Sequence, residues 1–217
     1  MKTLLRAALL ALAPLALAPL TFPRLAAAAQ TPPAGPPEAG PVQALDTALT
    51  ATAKASAAGQ SFQARYDALD PVIVKNFDLP LITRNSVGFL WSTLPAGQQS
   101  ELGALFETFT VASYVSQFAG AGGAHFNLLA AEKPVGDKRI VQTQIIPGDG
   151  GAPTEIDYLV APGADGWRID DVLLSGTISQ VAVHSSDFSA LVAAGDASKL
   201  IAALQAKVAA LSGAAGN

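Results

Sequence analysis

Four stretches between residues 125 and 174 alternate like half-buried strands, and each is parted from the next by a turn too short to hold a helix. They run roughly His125–Glu132, Lys138–Ile146, Pro153–Val160 and Gly166–Leu174. The connections, Pro134 to Asp137, Pro147-Gly148-Asp149-Gly150-Gly151 and Pro162 to Asp165, carry the proline, glycine and aspartate of turns. Parallel strands need a crossover of a dozen residues or more, so this spacing dictates an antiparallel meander. In the third stretch Ile156, Tyr158 and Val160 face one way and Glu155 and Asp157 the other, which gives one buried and one wetter sheet face.

Helical patterns lie on both sides of the meander. Val42 to Ala58 is alanine-rich with Val42, Leu45 and Leu49 in register, ending near Gly59. Ser61 to Asn76 carries Phe62, Tyr66, Leu69 and Ile73 at helical spacing, with a break or kink expected at Pro71. Asp78 is placed to cap a new helix with Pro80 in its first turn, and Leu81 to Trp91 continues it across Gly88. Gly88 permits a close approach by another backbone or a ligand, or has no role. The longest helix starts at Thr93-Leu94-Pro95, displays Leu102, Leu105, Phe106 and Phe109 on one stripe, and ends at Gly120 to Gly123. After the strands, helices are expected over Ser186–Ala194, capped by Ser185 or Ser186, and over Ala197–Leu211. The fold class is α+β: a four-stranded antiparallel sheet covered on one face by helices.

The fourth strand breaks its own alternation. Trp167, Ile169 and Leu173 share one parity, but Asp171 falls among them, while Val172 and Leu174 make the opposite side apolar. A carboxylate on an apolar parity must be hydrogen-bonded, and the N–H groups of the turn after it are the expected donors.

Residues 1–29 read as a secretory signal peptide: Lys2 and Arg6, then an apolar run from Ala7 to Leu20, then Ala26 to Ala29 as the cleavage site. That run falls short of the roughly 20 apolar residues that span a bilayer. Residues 30–41 (QTPPAGPPEAGP) form a proline- and glycine-rich tether expected to be disordered, and 42–212 the folded domain. Loss of 1–29 removes three cations and no acid, so the net charge moves from −4 to −7. That balance, with no basic cluster, argues against nucleic acid and against standing attachment to anionic lipid. The absence of cysteine excludes disulfides, thiolate catalysis and lipidation at an N-terminal cysteine.

No nucleophile elbow or phosphate loop is found. His125 and His184 are the only imidazoles and lack metal-ligand spacing, and Asp170-Asp171 point to opposite sheet faces, so neither a metal nor a cofactor is expected. Trp91, Phe106, Phe109, Tyr158 and Trp167 fit a filled core or the walls of an apolar cavity equally well.

Several stretches occur together in a distinctive order: Phe77-Asp78-Leu79-Pro80, Gly88 and Trp91, Phe106, Phe109 and Tyr114, Asp157-Tyr158, Gly166 to Val172 with Gly176 and Ser179, then Ser186 and Phe188. Over about residues 42 to 211 the set resembles the MlaC, or toluene-tolerance, family of periplasmic phospholipid-binding shuttles. The resemblance implies an apolar cavity between sheet and helices and no catalysis. It also implies transient partners, an inner-membrane ABC-type lipid transporter and an outer-membrane complex. The cavity wall is then expected to be Trp91, Leu102, Phe106, Phe109, Val141, Ile145, Tyr158, Trp167, Ile169 and Leu173, at the large end of roughly 300–1,000 Å³. Where the family commonly has Tyr-Arg-Ser before its final Phe, this chain has His184-Ser185-Ser186-Asp187-Phe188. The run from Ile178 to His184 is closer to the hopanoid-associated branch, so the cargo is a phospholipid or a hopanoid. Two other readings stay open: a small enzyme with a cone-shaped, NTF2-like domain using Asp171 as base, and a structural partner that binds no ligand.

Overall fold

A computed structural model describes residues 36–214, apart from the side chains of 130–132 and 214. The signal peptide and the first half of the tether lie outside the described residues. The second half of the tether is not extended. Pro37–Ala39 forms a 3₁₀ turn leading into α1, Gly40–Ala57. Proline is tolerated in a first helical turn, whose N–H groups have no partner anyway, and burial of Ala39, Pro41 and Val42 fixes the segment.

Helix α2, Phe62–Asn76, starts at Ser61, whose hydroxyl accepts from the Ala64 N–H. It runs through Pro71 without the expected break; burial of Leu69 and Ile73 on either side of Pro71 outweighs the one hydrogen bond lost. Helix α3, Leu79–Val87, is capped by Asp78, whose carboxylate accepts from Leu81 N–H at 3.0 Å. It stops at Gly88, where φ is +75°, and a 3₁₀ segment follows to Thr93. A Cβ on Gly88 would stand 3.7 Å from Ser185 Oγ, an ordinary contact, so the positive φ and not a close approach is what calls for glycine. Helix α4, Ala96–Gln117, is the longest.

The sheet is an antiparallel meander in the order β1-β2-β3-β4-β5, with β1 His125–Val135, β2 Lys138–Ile146, β3 Thr154–Gly163, β4 Gly166–Leu174 and β5 Ile178–Ser179. Five strands replace the expected four, because the two residues after the turn at Ser175–Thr177 pair back onto Leu173 and Leu174. Helix α5 then spans Gln180–Phe188 and α6 Ser198–Ala214. The cap of α5 is Ser179, whose hydroxyl accepts from Ala182 N–H, and not Ser185 or Ser186, which lie inside the helix.

Register explains the irregular parity of β4. Leu159 pairs with Asp171 but Val160 with Ile169, so Asp170 is the extra residue of a β-bulge. Ile169 faces the helices before the bulge; Val172 and Leu174, opposite Tyr158 and Ile156, face them after it. Val141, Tyr158, Val160 and Ile169 thus share one sheet face and join one core with Leu45, Leu69, Ile73, Leu102, Val111 and Leu200. The 77–78 corner is stitched to β4 by the Asp78 N–H donating to Ile169 O at 2.9 Å. On the other face Asp170 pairs with Lys138 at 2.7 Å, and the buried Gln142 donates to Asp157.

Candidate functional site

Between the sheet and the helices lies a cavity of about 420 Å³. Its sheet wall is Ile145, Ile156, Tyr158, Val172 and Leu174. Opposite stand Phe106, Phe109, Thr110, Ser113, Tyr114 and Gln117 of α4, which recur at i, i+3, i+4, i+7, i+8 and i+11, so one α4 face supplies a whole wall. Leu49 of α1, Phe77, Leu79 and Ile82 close another side, and Gln180, Val181 and His184 of α5 complete the lining.

Of the ten residues expected to form the wall, Phe106, Phe109, Ile145 and Tyr158 do so. Leu102, Val141 and Ile169 are buried in the core and do not line it. Trp91 and Trp167 pack against the core elsewhere, Trp167 beneath the Arg139 guanidinium at 6.0 Å. Leu173 sits on the opposite face of the sheet from Val172. The volume falls in the lower half of the expected range. Aromatic contacts narrow it: Phe106 and Phe109 meet the His184 ring edge-on at 5.6 and 6.1 Å, and Tyr114, Phe118 and Phe126 stack in series. Val172 and Leu174 are the lining residues that the second parity of β4 had announced, and Leu49 lies on the α1 stripe. The contribution of α5 was hidden by its misplaced start.

Asp171 is the one lining carboxylate, and its oxygens are engaged. Oδ1 accepts from Val172 N–H at 2.8 Å and from Val181 N–H at 3.1 Å, and Oδ2 accepts from the Ser179 hydroxyl. The donors are therefore its own neighbour and the first turn of α5. The N–H groups of the Ser175–Thr177 turn, expected as donors, bond backbone carbonyls of Glu155, Leu173 and Leu174 instead. A carboxylate at a helix N-terminus is also favoured by the helix dipole. His184 stacks on Phe188 with ring centroids 5.4 Å apart. Its burial holds the imidazole below its ordinary 6.5, with Asp187 opposing, so it is neutral at pH 7.

The wall is not wholly apolar behind its surface. Asp46, three residues before Leu49 on α1, is 9% exposed, and burial pushes its carboxyl from 3.8 to about 7. Its charge is felt by Tyr114 and Tyr158, both raised above their ordinary 10 chiefly by their own burial.

A family model described as MlaC protein matches residues 43–206. A solved structure of the phospholipid-binding protein from Ralstonia solanacearum, in complex with a phospholipid, shares the fold with a TM-score of 0.70. The match has 20% identity and covers 81% of this chain and 99% of that one. A comparison with curated proteins finds no match. Since the family model covers nearly all of the helices and the whole sheet, the chain belongs to the MlaC family.

Proposed function

We propose that the protein is a periplasmic lipid carrier that takes the apolar part of a phospholipid or hopanoid into the cavity between sheet and helices. In this role it shuttles cargo between an inner-membrane ABC-type transporter and an outer-membrane complex. The observation that carries the reading is the cavity itself: aromatic and aliphatic side chains from α1, α3, α4, α5 and three strands converge on a space that they do not fill. Membership of the MlaC family, and a fold shared with a protein solved with phospholipid, support the same conclusion.

The energetics suit a carrier. Each methylene moved out of water is worth about 0.8 kcal/mol, so a 16-carbon chain faces a barrier of roughly 12 kcal/mol to crossing an aqueous space unaided. Enclosing the chain removes most of that cost, and no reacting group is needed. The engagement of Asp171 by three donors favours this over the base-catalysed reading, which needs a carboxylate free to receive a proton. Native mass spectrometry of protein purified from cells tests it, with Ile156→Trp as the plug. Ile156 lines the cavity and is half-buried, so the larger ring fills space. Bound lipid in the wild type, its loss in Ile156→Trp and an unchanged fold by circular dichroism are expected. Wild-type protein that is lipid-free and binds no labelled phospholipid or hopanoid would overturn the proposal.

A further inference from the structure

The lining places the opening of the cavity. Among the described residues, Gln117 at the end of α4 and Leu174 at the end of β4 are the lining side chains that are also exposed. Leu174 pairs with Ile156, so it stands at the sheet end where β2 finishes and β3 begins. Gln117 leads into a loop that packs at the same end: a Cβ on Gly123 would stand 3.2 Å from Gly148 Cα, in the turn after β2. Residues 117–123, 145–148 and 174–180 thus make the rim. It carries no charge. Residues 108–131, 140–148 and 172–186 contain no Asp, Glu, Lys or Arg, in a chain that is 14% charged. The four cations of the sheet, Lys133, Lys138, Arg139 and Arg168, stand at the opposite end, beside the turns that join β1 to β2 and β3 to β4. Two acids border the rim, Asp149 in the turn after β2 and Glu155, whose carboxylate meets Gly176. On the rim, Leu174 and Ile178 are Cα partners across β4 and β5, 37% and 52% exposed, and Val183 of α5 is 37% exposed. Grouped exposed aliphatic side chains mark a surface that meets an apolar partner.

We infer that this rim docks the protein directly on a bilayer of electrically neutral lipid, with Leu174, Ile178 and Val183 entering the interface, so that cargo passes between bilayer and cavity without crossing water. The inference rests on the carrier reading and adds the surface through which cargo enters. The charge pattern selects the occupant. A charged group is costly to carry into an apolar layer, and the rim has none to carry. A protein partner of so acidic a chain would be steered by complementary charge, which the rim does not offer. The same pattern selects the lipid. An anionic surface would repel Asp149 and Glu155 beside the rim and attract the cations at the far end of the sheet, turning the opening away. Leu174 belongs both to the exposed lip and to the cavity wall. A chain leaving the bilayer past Ile178 and Leu174 therefore stays on apolar surface until it is enclosed.

The test separates docking from binding, using the full mature chain. Docking is read as the rate at which excess protein extracts pyrene-labelled phosphatidylcholine from phosphatidylcholine vesicles, with and without added phosphatidylglycerol. Binding is read as the dissociation constant for monomeric myristoyl lysophosphatidylcholine, which needs no bilayer. The variants are Ile178→Glu, on the rim but not in the cavity wall, and Val135→Glu, a control 47% exposed at the opposite end of the sheet. Wild type is expected to extract lipid faster than it desorbs unaided, with no gain from phosphatidylglycerol. Ile178→Glu should slow extraction by about tenfold or more, the factor that one buried aliphatic side chain carries. Val135→Glu should match the wild type, and all three proteins should bind the lysolipid equally. Extraction unaffected by Ile178→Glu, slowed as much by Val135→Glu, or accelerated by phosphatidylglycerol overturns the docking surface. So does lysolipid binding weakened by Ile178→Glu as much as extraction is slowed, which would place the residue's effect in the cavity. Wild type that binds lysolipid but extracts nothing from vesicles also overturns it, points to delivery by a protein partner, and leaves the carrier reading intact. Failure to bind lysolipid and diacyl phospholipid alike overturns the carrier reading and the docking surface together.

Discussion

Asp46→Asn should make the protein more stable, by an amount that depends on pH in a calculable way. The carboxyl has a folded-state pKa of about 7 against an ordinary 3.8, with burial as the cause. Below pH 3.8 it is protonated in both states and contributes no penalty. As pH rises from 3.8 to about 7 the unfolded chain ionises and the folded one does not, so stability falls by about 1.4 kcal/mol for each pH unit. Above 7 the penalty is complete, about 4 kcal/mol across the window. Asparagine has nearly the same shape and no charge to desolvate. Urea unfolding of wild type and Asp46→Asn at pH 4, 6 and 8 gives the answer as a difference of differences, which cancels the titration of every other acid. The advantage of the variant should be near zero at pH 4, intermediate at pH 6 and about 4 kcal/mol larger at pH 8 than at pH 4. An advantage that is the same at all three values would refute the reasoning, since it would mean that the carboxyl is solvated or paired in the fold.

Three further outcomes can be checked. Asp171→Ala leaves the Val181 and Val172 N–H groups without their acceptor and should cost about 1–3 kcal/mol in urea unfolding at pH 7; no loss would remove Asp171 from the fold argument. His184 should titrate by NMR with a midpoint below 6.5, because burial disfavours the imidazolium, and on acidification its folded-state contribution is lost below the unfolded value of 6.5; a midpoint at or above 6.5 contradicts its packing among Phe106, Phe109 and Phe188. Gly176→Ala places a Cβ 2.6 Å from Glu155 Oε1 at a φ of +69°, and should cost about 1–2 kcal/mol even if that carboxylate swings away, as thermal unfolding will report.

Most of the helices and all four long strands could be read from periodicity and turn chemistry, because each rests on local rules. Asp78 capping α3 and the bounds of β2 and β4 are cases where one signal had no competitor. The misreadings arise where tertiary contacts outweigh a local rule. Pro71 signals a break, yet the flanking Leu69 and Ile73 are buried deeply enough to carry α2 through it. Ser179, Ser185 and Ser186 are equal candidates for a cap, and what selects Ser179 is the carboxylate of Asp171, eight residues back in β4. The cavity wall suffers most. Expecting Trp167, Ile169 and Leu173 to share it assumes a regular strand, and one extra residue at Asp170 exchanges Leu173 for Val172 and Leu174. Val141 shows the cost of that limit: it is fully buried in the core and does not line the cavity, so Val141→Trp would overpack the core by about 1–3 kcal/mol and not plug the cavity.

The bulge and the Asp171 bonds belong to one device. Without the extra residue, Asp171 would keep the parity of Ile169 and aim its carboxylate among Tyr158 and Val160, where no donor of the sheet is free to meet it. With it, the side chain reaches Ser179 and the first turn of α5, and Val172 joins it in the wall. The same shift therefore aims two apolar residues inward, satisfies a carboxylate and fixes where α5 begins. The start of α5 in turn sets where Val181 and His184 meet the cavity, because both lie in its first turn and a half. Lengthening β4 by one residue after Leu173 would move α5 and leave the Asp171 pairing behind, so an insertion there should disturb the cavity more than an insertion in the exposed turn at Asp149–Gly151.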